Sequence, residues 1–394
     1  MRRYLVATVV FLAVTASVWA VPWVTAQSPD LKSTVVGAGT GENEKTKTDQ
    51  AATDQTAPAK EKPHRGWHFS AFNSSGRADY QVTYMKQTVT GMSAMENTRG
   101  RLMSVELEST VTLNNGNRDL LDFAVQYPYY SQMEGVDGRG KPMHFFNAYG
   151  ILKLGLGKPN IRFGQFVVPF GNLPYYETHT VPLQSLFPQS LGLRIQRGVS
   201  VEGFAGHYDY WVAAMGDDHA REGMARIARR FDLPRGTLTT GLSGLYGVDM
   251  PRFSSLLDPI MDKALARMPL SHSVDLTDKK RFSLDAEYSL GRNLWREEVV
   301  LGRDLEGRVD GQFLQWSFAL TEKDELMAQF VRWNQPDGAR SSVGAWYGRK
   351  FGKYFTARLW AELGLGRVPA TDKDGNETAA GLQCLLEIPS LFKR

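Results

Sequence analysis

Residues 281–290 read Arg-Phe-Ser-Leu-Asp-Ala-Glu-Tyr-Ser-Leu, and this stretch decides the class of fold. Successive side chains of a β-strand point to opposite faces. One face of the segment is apolar and consists of Phe282, Leu284, Ala286, Tyr288 and Leu290. The other face is polar and consists of Arg281, Ser283, Asp285, Glu287 and Ser289. A water-soluble sheet packs such an apolar face on a core, whereas a transmembrane barrel turns it to lipid and turns its polar face to a water-filled lumen.

The same rhythm of short alternating segments recurs from Tyr80 to Ile388. It predicts 16 strands, although 18 remains an alternative count. The predicted strands are 78–89, 100–112, 119–128, 143–156, 159–168, 196–205, 208–215, 222–231, 236–247, 280–290, 294–303, 308–320, 324–333, 340–351, 353–366 and 377–388.

Tight connections between these segments alternate with generally longer ones. Residues 206–207, 291–293 and 352 are tight, whereas the longer set is 129–142, 169–195, 248–279 and 367–376. An outer-membrane barrel has this asymmetry, with short periplasmic turns and longer outer loops. A single layered sheet of so many strands would leave exposed edges. The sequence therefore predicts an all-β fold, a transmembrane antiparallel β-barrel, with a soluble all-β protein as the alternative.

The N-terminus carries an export signal. Arg2 and Arg3 precede an apolar run that reaches Ala20, and small residues allow cleavage after Ala20 or Ala26. We predict a signal peptide at residues 1–26, with an uncleaved anchor as the alternative. Residues 27–66 are rich in Thr, Ala, Lys, Glu and Gln and hold almost no large apolar residue, which predicts a disordered periplasmic linker. Residues 67–394 then form the barrel.

Composition narrows the classes of function. The single cysteine, Cys384, excludes an intrachain disulfide and a cysteine metal site. A formal net charge of +4 without a basic stripe gives no support to nucleic-acid binding. The chain has no Gly-x-Ser-x-Gly and no His-Glu-x-x-His motif. We therefore expect no enzyme, cofactor or metal, and only a barrel lipase, which needs no local motif, stays open as an enzymatic alternative.

The most specific stretch is residues 160–216. The strand Asn-Ile-Arg-Phe-Gly-Gln-Phe at 160–166 runs into Val-Val-Pro-Phe-Gly at 167–171, and Arg-Ile-Gln-Arg-Gly-Val begins a return strand at Arg194. A Tyr-rich strand follows at 208–216. This pattern resembles the porin O and P family of phosphate-selective and related porins, except that Met215-Gly216 replaces the family's Asn-Gly. The resemblance implies an outer-membrane barrel whose third loop, here residues 170–195, folds inward and narrows the pore. Phosphate selectivity does not carry over, because the family's basic pore residues cannot be mapped.

Charged residues at two sets of positions are candidate pore residues. Glu177, His179, Arg194 and Arg197 would place mixed charge near a constriction, where fixed charge sets ion preference. Pairing of these side chains along the wall is an equal alternative, so the sign of selectivity stays open. Arg226 would either favour anions or pair with Glu106, Glu108 or Asp285. The predicted pore-lining residues are Glu106, Glu108, Arg162, Arg226, Arg230, Asp285, Glu287, Arg358 and Glu362.

The sequence thus predicts an outer-membrane porin of Gram-negative type, a passive channel for small hydrophilic solutes or ions. Its expected partners are outer-membrane lipid, the permeating solutes or ions and, as one candidate assembly, two further copies in a homotrimer. One alternative is a barrel that serves as a sheath or scaffold for a partner such as an electron-transfer protein. Another is a soluble all-β binding protein.

Overall fold

The computed structural model describes residues 66–116, 118–131, 147–167, 170–171, 183, 195–216, 221–249, 277–304, 307–335, 338–368 and 373–393. The predicted signal peptide and all of the predicted linker except Gly66 lie outside these residues. Within the described ranges, no helix is long and apolar enough to cross a membrane.

The described residues form 16 strands, which is the predicted number. They are β1 (Trp67–Val89), β2 (Met95–Asn115), β3 (Arg118–Ser131), β4 (Asn147–Lys153), β5 (Asn160–Val167), β6 (Ile195–Ala205), β7 (Tyr208–Gly216), β8 (Arg221–Leu233), β9 (Gly236–Asp249), β10 (Thr277–Leu290), β11 (Asn293–Asp304), β12 (Gly307–Ala319), β13 (Asp324–Gln335), β14 (Gly338–Phe351), β15 (Phe355–Val368) and β16 (Lys373–Lys393).

Each strand pairs antiparallel with its neighbours in the sequence, and β1 pairs with β16 to close the barrel. Closure removes the free edges that a flat sheet would expose. The predicted strands are all present, but β1 begins at Trp67 rather than at 78, and β16 runs from Lys373 to Lys393 rather than over 377–388. In β1 a register shift between Ser74 and Gly76 breaks the simple alternation, which hides the first half of this strand from a pattern of period two.

The polarity of the barrel is inverted relative to a water-soluble protein. On β10, Phe282 and Leu284 are 46% and 42% exposed, whereas Ser283 and Asp285 are 0% and 2% exposed. The apolar face therefore points out of the barrel and the polar face points into it. A water-soluble sheet would do the reverse, so the arrangement is that of a transmembrane barrel.

Short turns join the strands at one end of the barrel. Gly206, Gly291 and Gly352 occupy three of these turns with φ of +65°, +56° and +72°, which glycine adopts without the strain of a side chain. The opposite end is called the loop end below, and β1 begins and β16 ends at the turn end. The four connections that were predicted to be long all lie at the loop end, but residues 305–306 and 336–337 also connect strands there and are short.

Aromatic rings cluster on the outer face near the turns. Trp316 packs against Trp295 and Phe318, each with 5.9 Å between ring centroids, and Phe351 packs against Phe355 at the same distance. Such rings anchor a barrel at the membrane–water interface.

The carboxylate of Glu297 departs from this polarity within the apolar part of the outer face. Glu297 shares the outward alternation of β11 with Trp295 and Leu301, and its neighbours across the strands are Ala286 and Leu314. Nothing in the periodic pattern of the sequence singles it out, because the residues on either side of it alternate normally.

Candidate functional site: the lumen

Buried polar side chains line much of the lumen, beside two apolar clusters that are described below. Strands with inward-facing positions supply them from all round the barrel. The fully or nearly buried polar residues include Asp79, Gln81, Glu106, Ser200, Glu222, Ser243, Asp285, Glu298, Gln315, Gln329, Glu377 and Gln383.

Arg226 on β8 pairs with Asp285 on β10 across the intervening strand. The Nη2–Oδ1 distance is 2.9 Å, and the Asp285 side chain is fully buried. Gly241 of β9 lies beneath the pair, where any Cβ would overlap the Arg226 guanidinium and the Asp285 carboxylate. Of the partners predicted for Arg226, Asp285 is therefore confirmed. A luminal arginine that is already neutralised contributes little to an anion preference.

A second carboxylate on the same wall contacts the third loop. Glu298 is buried, accepts a hydrogen bond of 2.8 Å from the Ser283 hydroxyl, and lies so close to Gly171 that a Cβ there would overlap it. The backbone N–H of Gly171 donates to the Ser243 hydroxyl over 3.1 Å. Since Ser243 and Glu298 face inward, Gly171 lies inside the lumen.

Apolar contacts hold two further points of this loop inside the barrel. Phe170 is buried in a luminal cluster with Phe166, Ala213, Met215, Met224, Leu245, Val300, Val309, Phe313, Val331 and Trp333. Leu183 is buried in a separate cluster with Met327, Trp346, Trp360 and Ala379. The first cluster belongs to β5, β7–β9 and β11–β13, and the second to β13–β16. Phe170 and Leu183 therefore contact different walls of the lumen.

Arg162 explains the Arg-x-Gly-x-Phe pattern of β5. Its guanidinium forms an ion pair of 3.0 Å with Glu202 on β6 and lies 4.6 Å and 4.8 Å from the ring centroids of Tyr149 and Trp211. Gly164 has φ of +121°, and a Cβ there would overlap the backbone of β4. The motif thus secures the wall from which the third loop departs.

The opposite wall carries a connected network. Arg358 donates to Gln383 over 3.1 Å, lies 3.5 Å from Glu325, and stacks 4.8 Å from the Trp346 ring centroid. Gln383 in turn donates to Asp79 over 2.9 Å, which links β15 to β1 through β16. Sequence reasoning predicted Arg358 as a luminal residue but not its partners, because they depend on the register in which β13, β14, β15 and β16 pair.

Two more ion pairs join inward-facing side chains. Arg296 is 2.8 Å from Glu287 and also donates to Gln315, and Arg340 is 2.7 Å from Glu377. These luminal cations and carboxylates thus stand in pairs, so the wall presents hydrogen-bond donors and acceptors rather than charge of one sign.

The predicted pore-lining residues lie on the inward alternation of their strands. Glu106 accepts a hydrogen bond of 2.9 Å from Gln126, Glu108 lies two residues further along β2, and Glu362 lies two residues from the buried Trp360. Arg230 is different, because it is 63% exposed and pairs with Asp232 beside a turn. It therefore lies at the turn-end mouth and not within the lumen.

Of the four predicted constriction residues, Glu177, His179 and Arg194 lie outside the described residues. Arg197 is exposed and shares the alternation of Val199, which is 50% exposed on the outer face of β6. The expectation that Arg197 faces the pore is therefore corrected. Arg197 and Val199 are two residues apart, so the sequence already indicated that they point to the same face of the strand. The prediction of a pore role rested on closeness to the loop in the sequence, which does not determine the face.

Across the strands and connections that the structure describes, no group of three or more His, Cys, Asp or Glu side chains is arranged to hold a metal ion. The described part of the lumen combines charge pairs, amides and two apolar clusters.

Comparison with known proteins gives similarity of fold alone. No protein-family model and no curated protein matches the chain. Among solved structures, the outer-membrane channel DcaP of Acinetobacter baumannii is 10% identical with a TM-score of 0.55, over 82% of this chain and 98% of that one. An anion-selective porin from Comamonas acidovorans is 13% identical with a TM-score of 0.53, over 82% and 100%. A loop-deletion mutant of OmpT, an outer membrane protein of Vibrio cholerae, is 13% identical with a TM-score of 0.51, over 80% and 99%. The chain thus shares the barrel fold of outer-membrane porins.

Proposed function

We propose that this chain is an outer-membrane porin of Gram-negative type, a passive aqueous channel for small hydrophilic solutes or ions. The observation that carries the proposal is the inverted polarity of the closed barrel, with apolar side chains exposed outside and charged or amide side chains buried inside. The apolar outer surface suits contact with lipid, and the polar inner surface suits contact with water.

The size of the barrel fits this role. A barrel of about 16 strands encloses an aqueous channel, whereas one of about eight is filled by its own side chains. Solutes would move down their gradient through contacts with the luminal ion pairs and amides. No bond is made or broken in such a process, so the proposal includes no catalytic residue.

The third loop is proposed as the narrowest point. The contacts of Gly171 with Ser243 and of Leu183 with the cluster around Trp360 support an inward path, because they attach the loop to two walls. Arg194 is retained as a candidate charge at this constriction.

A loop of this kind and the pattern of Arg162–Phe166 also support membership of the porin O and P family.

Location and assembly follow from the same proposal. The signal peptide at 1–26 would export the chain, the linker at 27–66 would lie in the periplasm, and the barrel would contact outer-membrane lipid. A homotrimer is the proposed assembly.

The sheath alternative is less favoured by the lumen. Phe170 and Leu183 are buried against luminal walls, and a threaded electron-transfer protein would have to displace both. Co-purification of a stoichiometric partner with a folded barrel that conducts no ions would favour the sheath.

The proposal is tested by solute flux. Full-length protein should fractionate with the outer membrane, and purified protein in liposomes should make them swell in small sugars at rates that fall as the sugar grows. Migration that changes on boiling identifies the folded form. Liposomes that hold folded protein and stay osmotically intact in every sugar would refute a diffusive channel.

A further inference from the structure

A row of cations crosses the outer face of the barrel at the loop end. Lys280 on β10 pairs in register with Arg303 on β11, and Arg303 pairs in register with Arg308 on β12. All three positions are exposed and share the alternation of lipid-facing residues on their strands. Neighbouring strands are about 4.8 Å apart, so the three Cα atoms span about 10 Å.

The row lies where the apolar band ends. Phe282 is the next outward residue below Lys280, and Leu301 is the next below Arg303; both are exposed. Beside Lys280 the ring of Tyr246, itself 65% exposed, lies 5.3 Å from the Lys280 ammonium. An aromatic ring and cations at this level mark the boundary between acyl chains and head groups.

Like charges directly opposite each other in a sheet repel and destabilise it. An anion bound beside Lys280 and Arg303 would offset this repulsion. Among the described residues, no carboxylate lies within ion-pairing distance of Lys280, Arg303 or Arg332, the last a further outward cation on β13. Of the carboxylates whose side chains are described, Asp278 and Asp310 share this outer region, and Asp310 accepts a hydrogen bond of 3.1 Å from Asn334.

We propose that the row Lys280–Arg303–Arg308 binds the phosphate groups of an anionic glycolipid in the outer leaflet. Arginine holds phosphate through paired N–H donors, and the spacing of the row suits a head group with more than one phosphate. Acyl chains of the same lipid would lie along Phe282 and Leu301. The inference rests on the proposed outer-membrane location but not on channel activity, since none of these side chains faces the lumen.

The test compares lipid binding by two triple variants of the full chain. One is Lys280→Gln/Arg303→Gln/Arg308→Gln. The matched control removes three exposed cations at the turn end, Arg235→Gln/Lys323→Gln/Lys353→Gln. Native mass spectrometry of detergent-purified protein is titrated with diphosphoryl lipid A and with the same lipid freed of phosphate.

Each cation near a charged lipid surface contributes to the free energy of binding, and three such contributions together raise the affinity about 100-fold at low salt. The row variant should therefore bind diphosphoryl lipid A about 100-fold more weakly, the control variant should match the original protein, and the dephosphorylated lipid should bind weakly to all three. Equal binding of both lipids by the original protein, or an equal loss in both variants, overturns the proposal. Competition by millimolar inorganic phosphate as strong as that by the lipid would also overturn it, because the site would then recognise a free ion.

Conductance measured on the same samples separates this proposal from the porin. The row variant should conduct like the original protein. A folded protein that does not conduct but binds the phosphorylated lipid refutes the channel alone, and a channel that does not discriminate the two lipids refutes the lipid site alone.

Discussion

Two adjacent residues of β3 offer a direct test of which face meets lipid. Val125 is 37% exposed on the outer face, between Ser109 and Ala148 on the flanking strands. Gln126 faces inward and donates to Glu106 over 2.9 Å. The matched substitutions Val125→Arg and Gln126→Arg therefore place the same side chain on opposite faces of one strand at almost the same depth.

The expected difference is large. Val125 lies near the middle of β3, and an arginine on the lipid face near the bilayer midplane costs about 2–4 kcal/mol. An arginine at 126 would instead lie in the lumen beside Glu106, where an ion pair contributes about 0–1 kcal/mol and offsets the lost amide bonds. The unfolding equilibrium of Val125→Arg should thus shift by about 30- to 1,000-fold relative to Gln126→Arg.

Urea unfolding in phosphocholine vesicles, followed by tryptophan fluorescence, measures this difference. Adding Leu284→Arg to Val125→Arg should nearly double the loss, since the two sites are far apart and both face outward. Equal destabilisation by Val125→Arg and Gln126→Arg, or a greater loss at 126, would refute the assignment of the faces.

Three further predictions concern single side chains. Asp285→Asn should destabilise the barrel by about 1–3 kcal/mol, because it leaves the largely buried Arg226 without its carboxylate; a double-mutant cycle with Arg226→Gln that shows no coupling would contradict this. Glu297→Leu should raise stability by about 1 kcal/mol in vesicles, since it removes a carboxyl group from the lipid face, and a loss of stability would mean that Glu297 has a partner there. Arg194→Glu should shift the reversal potential in a salt gradient toward cations while the outward Arg197→Glu does not, and an equal shift from both would place neither at the constriction.

Much of the fold follows from the period of two along each strand, because one face of a barrel strand contacts lipid and the other faces the lumen. The pattern of 281–290 needs no knowledge of any other strand to predict that Phe282 and Asp285 face opposite ways. The same local rule places the turns, where glycine supplies positive φ. It fails where the register shifts, as between Ser74 and Gly76.

The details of the lumen depend on contacts that no local pattern encodes. The choice of Asp285 as the partner of Arg226 depends on a glycine on the strand between them. The anchoring of Gly171 by Ser243 and Glu298 joins residues far apart in the sequence. A pore role was predicted for Arg197 because it is close to the third loop in the sequence. The alternation of β6 instead places Arg197 on the outer face with Val199.

Single-channel recording in planar bilayers tests the porin proposal most directly, with the original protein compared with a variant shortened within residues 170–195. The original protein should give discrete conductance steps, and the shortened loop should enlarge them, because a segment attached to two walls of the lumen limits the current. Unchanged steps after shortening would place the narrowest point elsewhere. Folded original protein that gives no conductance at all would contradict the proposed channel.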